Sequence, residues 1–278
     1  MTGASVLRLA DGRLHFQHGP IDIIARSWGH PKAVAEGERR AACRFGSVLA
    51  ELASELPVLR QQGGRPEGQI AHVMADATAP FAPDFITPMA AVAGAVAEAV
   101  LAELVTDGVT RAYVNNGGDI AVHLAPGEQL TCAIAARPGV PDRVTLRSDD
   151  SARGIATSGW RGRSWSLGIA DSVTVLAKTA AMADAAATMI ANAVNLPDHP
   201  GILRRAAQDL QADSDLGHRL VTIGVSGLTL PDVRMALAAG EAAAQAYRRR
   251  GLIEAAALFL QAEVRTLGPL SQMEPAFA

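Results

Sequence analysis

Aromatic residues are scarce in this sequence: six Phe, three Trp and two Tyr make up 4% of 278 residues. Surfaces that bind single-stranded nucleic acid stack bases on aromatic side chains, so this composition argues against one. Long basic runs are missing too. Arg248, Arg249 and Arg250 form a short cluster in a chain of net charge −3, which leaves no electrostatic footprint for a phosphate backbone. The two cysteines, Cys43 and Cys132, lack the spacing of a zinc or redox motif. They read as small buried hydrophobes in a reducing compartment. The first sixteen residues hold no apolar signal core followed by a cleavage site. The most apolar helical stretch, 86–105, is interrupted by Glu98 and Glu103, which makes it a poor membrane span. The expectation is a cytoplasmic protein with neither nucleic acid nor membrane as partner.

Against these shortages stand 49% hydrophobic and 19% charged residues, a composition that supports a sizeable core. A single domain over 1–268 with a disordered tail over 269–278 is expected. The run 5–10, the turn Asp11-Gly12 and the run 13–17 predict a β-hairpin, because Asp-Gly between alternating runs is a strong hairpin signal. A third strand follows at 21–27. Apolar residues at helical spacing, from Val34 through Phe45 to Leu56, predict a long helix over 32–60.

Residues 61–68 (QQGGRPEG) read as a loop and 69–85 as irregular chain. Thr87 and Pro88 predict the start of a helix that ends at Gly108. Strand, turn and strand follow over 111–125, then strands at 129–136 and 143–148. Beyond the segment 154–194, residues 199–212 read as helical, 220–227 as a strand, and 231–250 as an amphipathic helix started by Thr229 and Pro231. The Ala/Leu-rich stretch 252–266 leans towards helix.

Three clusters bear on chemistry. Asn116, Gly117, Gly118 and Asp119 lie in a turn after Asn115. Glycines there let backbone amides approach an anion, and Asn-Gly is equally a plain hairpin turn. Thr157 and Ser158 put two hydroxyls on a small-residue turn that can bond a phosphate or the local backbone. Arg161 and Arg163 follow, with forks suited to a diphosphate or carboxylate. Asp184 and Thr188, four apart on one helical face, offer two oxygen donors to a hard cation. They serve as well for a solvated face or a helix cap.

The ordered set ATSG at 156–159, SVTVLA at 172–177 and ADAAAT at 183–188 resembles the C-terminal half of the ApbE superfamily. Its best-known members are magnesium-dependent transferases that attach the FMN half of FAD to a threonine of a partner protein. The opening run from Gly19 to Phe45 is similar to a cytoplasmic, functionally uncharacterised branch. The resemblance implies an α+β fold with mixed, mostly antiparallel sheets packed with helices. It also implies a flavin nucleotide (FAD or FMN) or another anionic small molecule near Asn116, Gly117, Gly118, Asp119, Thr157, Ser158 and Arg161, with Mg2+ at Asp184 and Thr188. The family's backbone carbonyl for that metal maps to Met89–Ala91.

Two departures weigh against unmodified FMN transfer. Where the family carries D-L-G-G-I-A-K-G, this chain has Thr87 and Ala93 in place of the aspartate and the lysine. The family's H-x-x-D-P-x-T-G segment is replaced by Ser166–Asp171, without a histidine. Asp171, His123 and His199 are the substitutes at hand, and no residue is assigned a catalytic role. The alternative is a non-catalytic binding or assembly protein on the same scaffold, whose small-residue helices suit a homo-oligomer.

Overall fold

The computed structural model describes residues 3–137 and 140–268. The tail expected from Pro269 lies outside them. The described residues divide into two compact units. The first takes residues 3–132, 145–156 and 177–184; the second takes 133–144, 157–176 and 185–268.

In the first unit, β1 (Ser5–Arg8) and β2 (Leu14–His18) form the expected hairpin, with Ser5 opposite Gln17. β3 (Ile21–Gly29) pairs with β2, and β4 (Val109–Asn116) with β3. β5 (Asp119–Leu124) pairs with β4, and β8 (Gly154–Ser158) with β5, all antiparallel. Alternation sets the faces: Ile21, Ile23, Ala25 and Ser27 of β3 point into the core, as the period of two requires.

Helix α1 (Pro31–Ser54) supplies the opposing face through Ala41, Phe45, Val48 and Leu52. Phe45 meets Phe16 edge to face, ring centroids 5.3 Å apart. A short α2 (Leu56–Leu59) continues it after a break at Glu55.

The stretch expected to be irregular is instead helix α3 (Gln69–Thr78). Its start has no local cap. The Glu55 carboxylate accepts the Gly68 N–H at 2.8 Å and Glu51 accepts that of Ile70 at 3.4 Å. Capping from another helix leaves no sequence signature. Pro88–Ala91 form a 3₁₀ turn before α4 (Val92–Leu104), and Thr87 makes no side-chain cap bond. The strands β6 (Gln129–Arg137) and β7 (Val140–Arg147) pair with each other as a two-stranded sheet.

In the second unit, β12 (Ala255–Leu260) pairs on one side with β9 (Ser172–Ala177) and on the other with β13 (Glu263–Leu267), both antiparallel. The helix expected over 252–266 is therefore a hairpin. Every residue of β12 is buried, and pairing on both edges overrides the helix propensity of its alanines. The helix expected over 199–212 is likewise mostly strand: β10 (Ile202–Ala206) pairs with β11 (Leu220–Val225), and only α6 (Ala207–Leu210) is helical.

Helix α5 (Ala180–Ala193) carries the ADAAAT motif. α7 (Leu230–Arg249) starts on a capping box between Thr229 and Asp232. The fold is thus α+β with antiparallel sheets and helices. Cys43 is exposed on α1, against the expectation of burial, because the apolar stripe of that helix passes beside it. Cys132 is half-buried, and burial pushes its thiol up to about 11.

Candidate functional site

The β4–β5 hairpin turns on Gly117 and Gly118, with Asn116 opposite Asp119. Both glycines have positive φ, +69° and +116°, as a two-residue hairpin turn demands. Asn115 Oδ1 accepts the Gly118 N–H at 2.8 Å, so that amide is engaged inside the turn. Asn116 is buried, and its Nδ2 donates to the Ala93 carbonyl at 3.1 Å. The hairpin tip is thereby tied to the first turn of α4.

That first turn also holds Asp184. The Gly94 N–H donates to Asp184 Oδ2 at 3.0 Å, and the Ala93 N–H adds to it. A helix N-terminus presents unpaired amides and a positive dipole end, so it suits a carboxylate. Burial nevertheless pushes the Asp184 carboxyl well above the usual carboxylate range, and the negative charge of Asp119 raises it further; the two amides pull the other way. Asp119 and Asp184, 65 positions apart in the chain, thus share one electrostatic environment.

A residue the motifs do not reveal completes the arrangement. Glu98, one turn beyond Gly94 on α4, accepts the Ala181 N–H at 2.7 Å, with further bonds from Ala180 and Thr179. Each helix therefore caps the other with an acidic side chain. The contact is close: a Cβ on Gly94 would lie 2.3 Å from the Ala180 carbonyl oxygen. The sequence signal for Glu98 is a carboxylate in the middle of an Ala/Val-rich helix whose other acid, Glu103, lies near its end.

Thr188 lies one turn beyond Asp184 on α5 and is half-buried. Thr157 Oγ1 hydrogen-bonds Thr174 Oγ1 at 2.9 Å, and Ser158 ends β8, half-buried. Arg161 is exposed, donates to Asp171 Oδ1 at 2.6 Å and lies over the Trp160 ring.

Asp171, expected as a possible substitute for the family's histidine, is fully engaged. Its Oδ1 also accepts Trp160 Nε1 at 3.2 Å, and its Oδ2 accepts the Gln261 N–H at 2.6 Å. His199 accepts the Gly201 N–H and stands 3.5 Å from Asp232 of the α7 capping box. His123 lies on β5 opposite Ala112. Arg153 donates to three carbonyls, those of Ser148, Asp150 and Ala152.

Among the described residues, no group of three or more His, Cys, Asp or Glu stands ready to hold a metal. Asp184 and its electrostatic neighbour Asp119 offer carboxylate oxygens, and Thr188 carries a hydroxyl one turn further along α5; all are hard oxygen. That set fits Mg2+, which binds through one or two carboxylates and takes its other ligands from water and substrate phosphate. Like charge at a buried carboxylate is also the condition that a cation relieves.

A family model described as AbpE bacteria matches residues 5–266. UPF0280 protein MK0206 of Methanopyrus kandleri is 35% identical over 159 residues, which cover 57% of this chain and 62% of that protein. A UPF0280 protein of Methanothermobacter thermautotrophicus is 38% identical over 126 residues, 44% of this chain and 48% of its own length. The chain thus spans about half to three-fifths of the curated relatives it matches. The crystal structure of the apo form of Pseudomonas stutzeri flavinyl transferase ApbE is similar at a TM-score of 0.34 and 14% identity, over 71% of this chain and 87% of that one. With a family model matched from residue 5 to residue 266, the chain belongs to the AbpE bacteria family, an ApbE-like branch that includes uncharacterised archaeal relatives.

Proposed function

We propose that this protein binds a flavin nucleotide, or another anionic small molecule with a diphosphate, together with Mg2+ at Asp184 and Thr188. One observation carries the reading: the buried carboxylate of Asp184 has the negative charge of Asp119 for a neighbour. Two like charges in a low-dielectric setting raise each other's cost of ionisation. A divalent cation would offset that cost, and its remaining positions would take phosphate oxygens. Asp184 would ligate through its carboxylate, which also accepts the Gly94 amide, and Thr188 would add its hydroxyl from the next turn of α5. Asn116 and Glu98 would hold the two helix starts in register. The cation would supply charge neutralisation of a diphosphate.

A second reading, a binding or assembly protein without catalysis, is favoured by Asp171. Its two oxygens are taken by Trp160, Arg161 and Gln261, so it is poorly placed to act as the general base for which the family's histidine segment would otherwise be sought.

Thermal unfolding with FAD separates the first reading from its failure. FAD with Mg2+ is expected to raise the midpoint of the wild type, and EDTA or Asp184→Asn to abolish the rise. A rise that persists in Asp184→Asn would reject the metal-bridged form. No rise under any condition would reject the nucleotide.

A further inference from the structure

We propose that a cleft of about 470 Å³ between the 62–66 loop and α3 is a second binding site, for a small zwitterion with an apolar body, of the amino-acid kind. Its volume lies within the roughly 300–1,000 Å³ of small-molecule sites. Helix α3 forms one wall through His72, Ala75 and Asp76, positions i, i+3 and i+4 of a single face, and Ala79 just past its end extends that wall. Arg65 faces them from the loop, and Ile86 and Pro88 close the apolar floor.

The frame around the cleft is tied. Gln62 Nε2 donates to the carbonyls of Pro83 (3.4 Å) and Asp84 (3.0 Å), which joins the loop to the chain after α3. The Glu55 carboxylate fixes the loop's other end through the Gly68 N–H. Within this frame, Arg65, His72 and Asp76 are exposed and have no side-chain hydrogen-bond or ion-pair partner among the described residues, so their charges are open to a ligand from solvent.

The charges select the ligand class. One guanidinium and one carboxylate cancel, so an ion of a single sign gains from one and is repelled by the other. A molecule with a carboxylate for Arg65 and an ammonium for Asp76 satisfies both, and its apolar part covers Ala75, Ala79, Ile86 and Pro88. His72, four residues before Asp76 on α3, also lines the cleft.

The test is a calorimetric titration with L-phenylalanine, 3-phenylpropionate and 2-phenylethylamine, on the wild type, Arg65→Gln, Asp76→Asn and Asp184→Asn. L-Phenylalanine is expected to bind the wild type and Asp184→Asn alike. Arg65→Gln, Asp76→Asn and removal of either charge from the ligand should each weaken binding by at least about tenfold. Absence of binding up to about 20 mM, or affinity unchanged in both cleft variants, would overturn the proposal. An analogue with one charge that binds as tightly as L-phenylalanine would overturn the zwitterion assignment. Asp184→Asn keeps this test separate from the nucleotide reading.

Discussion

Glu98 of α4 and Asp184 of α5 each cap the helix that carries the other. Glu98 accepts the Ala181 amide at 2.7 Å, while Asp184 accepts the Gly94 amide at 3.0 Å. Two acidic residues thereby fix the relation of two helix starts that lie 88 positions apart in the chain. Glu98→Ala leaves the Ala181 amide without its acceptor and is expected to cost about 1–3 kcal/mol. Glu98→Gln keeps an acceptor oxygen and should cost less. Denaturant unfolding of the two variants checks the order.

Burial raises the Glu98 carboxyl above its ordinary value of 4.5, against the opposing bonds from Ala181, Thr179 and Ala180. The folded protein then holds this proton more tightly than the unfolded chain does. The contribution is complete below the unfolded value and is lost as pH rises through the folded one. Wild type should therefore lose stability relative to Glu98→Gln as pH rises from about 4.5. Unfolding midpoints of both proteins across that range give the sign directly.

Two glycine-to-alanine changes should differ in sign. At Gly94 the new methyl would meet the Ala180 carbonyl oxygen at 2.3 Å and the Ala181 nitrogen at 2.7 Å. Overpacking of this kind costs roughly 1–3 kcal/mol. At Gly46, exposed on α1, nothing lies within 4 Å of the new atom. There the better helix former should add about 0.5–1 kcal/mol. Equal effects in thermal unfolding would contradict the close α4–α5 approach.

The thiols should separate by reactivity. Cys43 is exposed, whereas burial pushes Cys132 up to about 11. At mildly alkaline pH a disulfide reagent is expected to modify Cys43 fast in the native protein and Cys132 only slowly, because the thiolate is the reacting form. Cys43→Ala should remove the fast phase.

Asp171 should matter more than the arginine it pairs with. Asp171→Ala removes the acceptor of Trp160, Arg161 and the Gln261 amide and is expected to cost about 1–3 kcal/mol. Arg161 is 63% exposed in its side chain, so Arg161→Ala should cost less than about 1 kcal/mol. Comparable losses in denaturant unfolding would contradict a bracket centred on Asp171.

What could be read from the sequence was local. Asp11-Gly12, Asn115–Asp119 and Thr229-Leu230-Pro231-Asp232 carry their turn and cap chemistry within a few residues, and β1–β2, β4–β5 and α7 form where that chemistry indicates. β12, β10 and α3 were not legible, because their states are set from outside: by pairing with β9 and β13, by pairing with β11, and by carboxylates of Glu51 and Glu55. The site divides the same way. Asp184 and Thr188 are visible as a spacing on one helix. The nearness of Asp119, and the reciprocal cap by Glu98, come from tertiary packing that no local pattern encodes.

The central claim, a diphosphate drawn by a cation at Asp184, is tested most directly by calorimetric titration of the protein with FAD, with and without Mg2+, on wild type and Asp184→Ala. The account predicts magnesium-dependent binding in the wild type and its loss in the variant. Equal FAD affinity in the two proteins, or none in either with Mg2+ present, would contradict it.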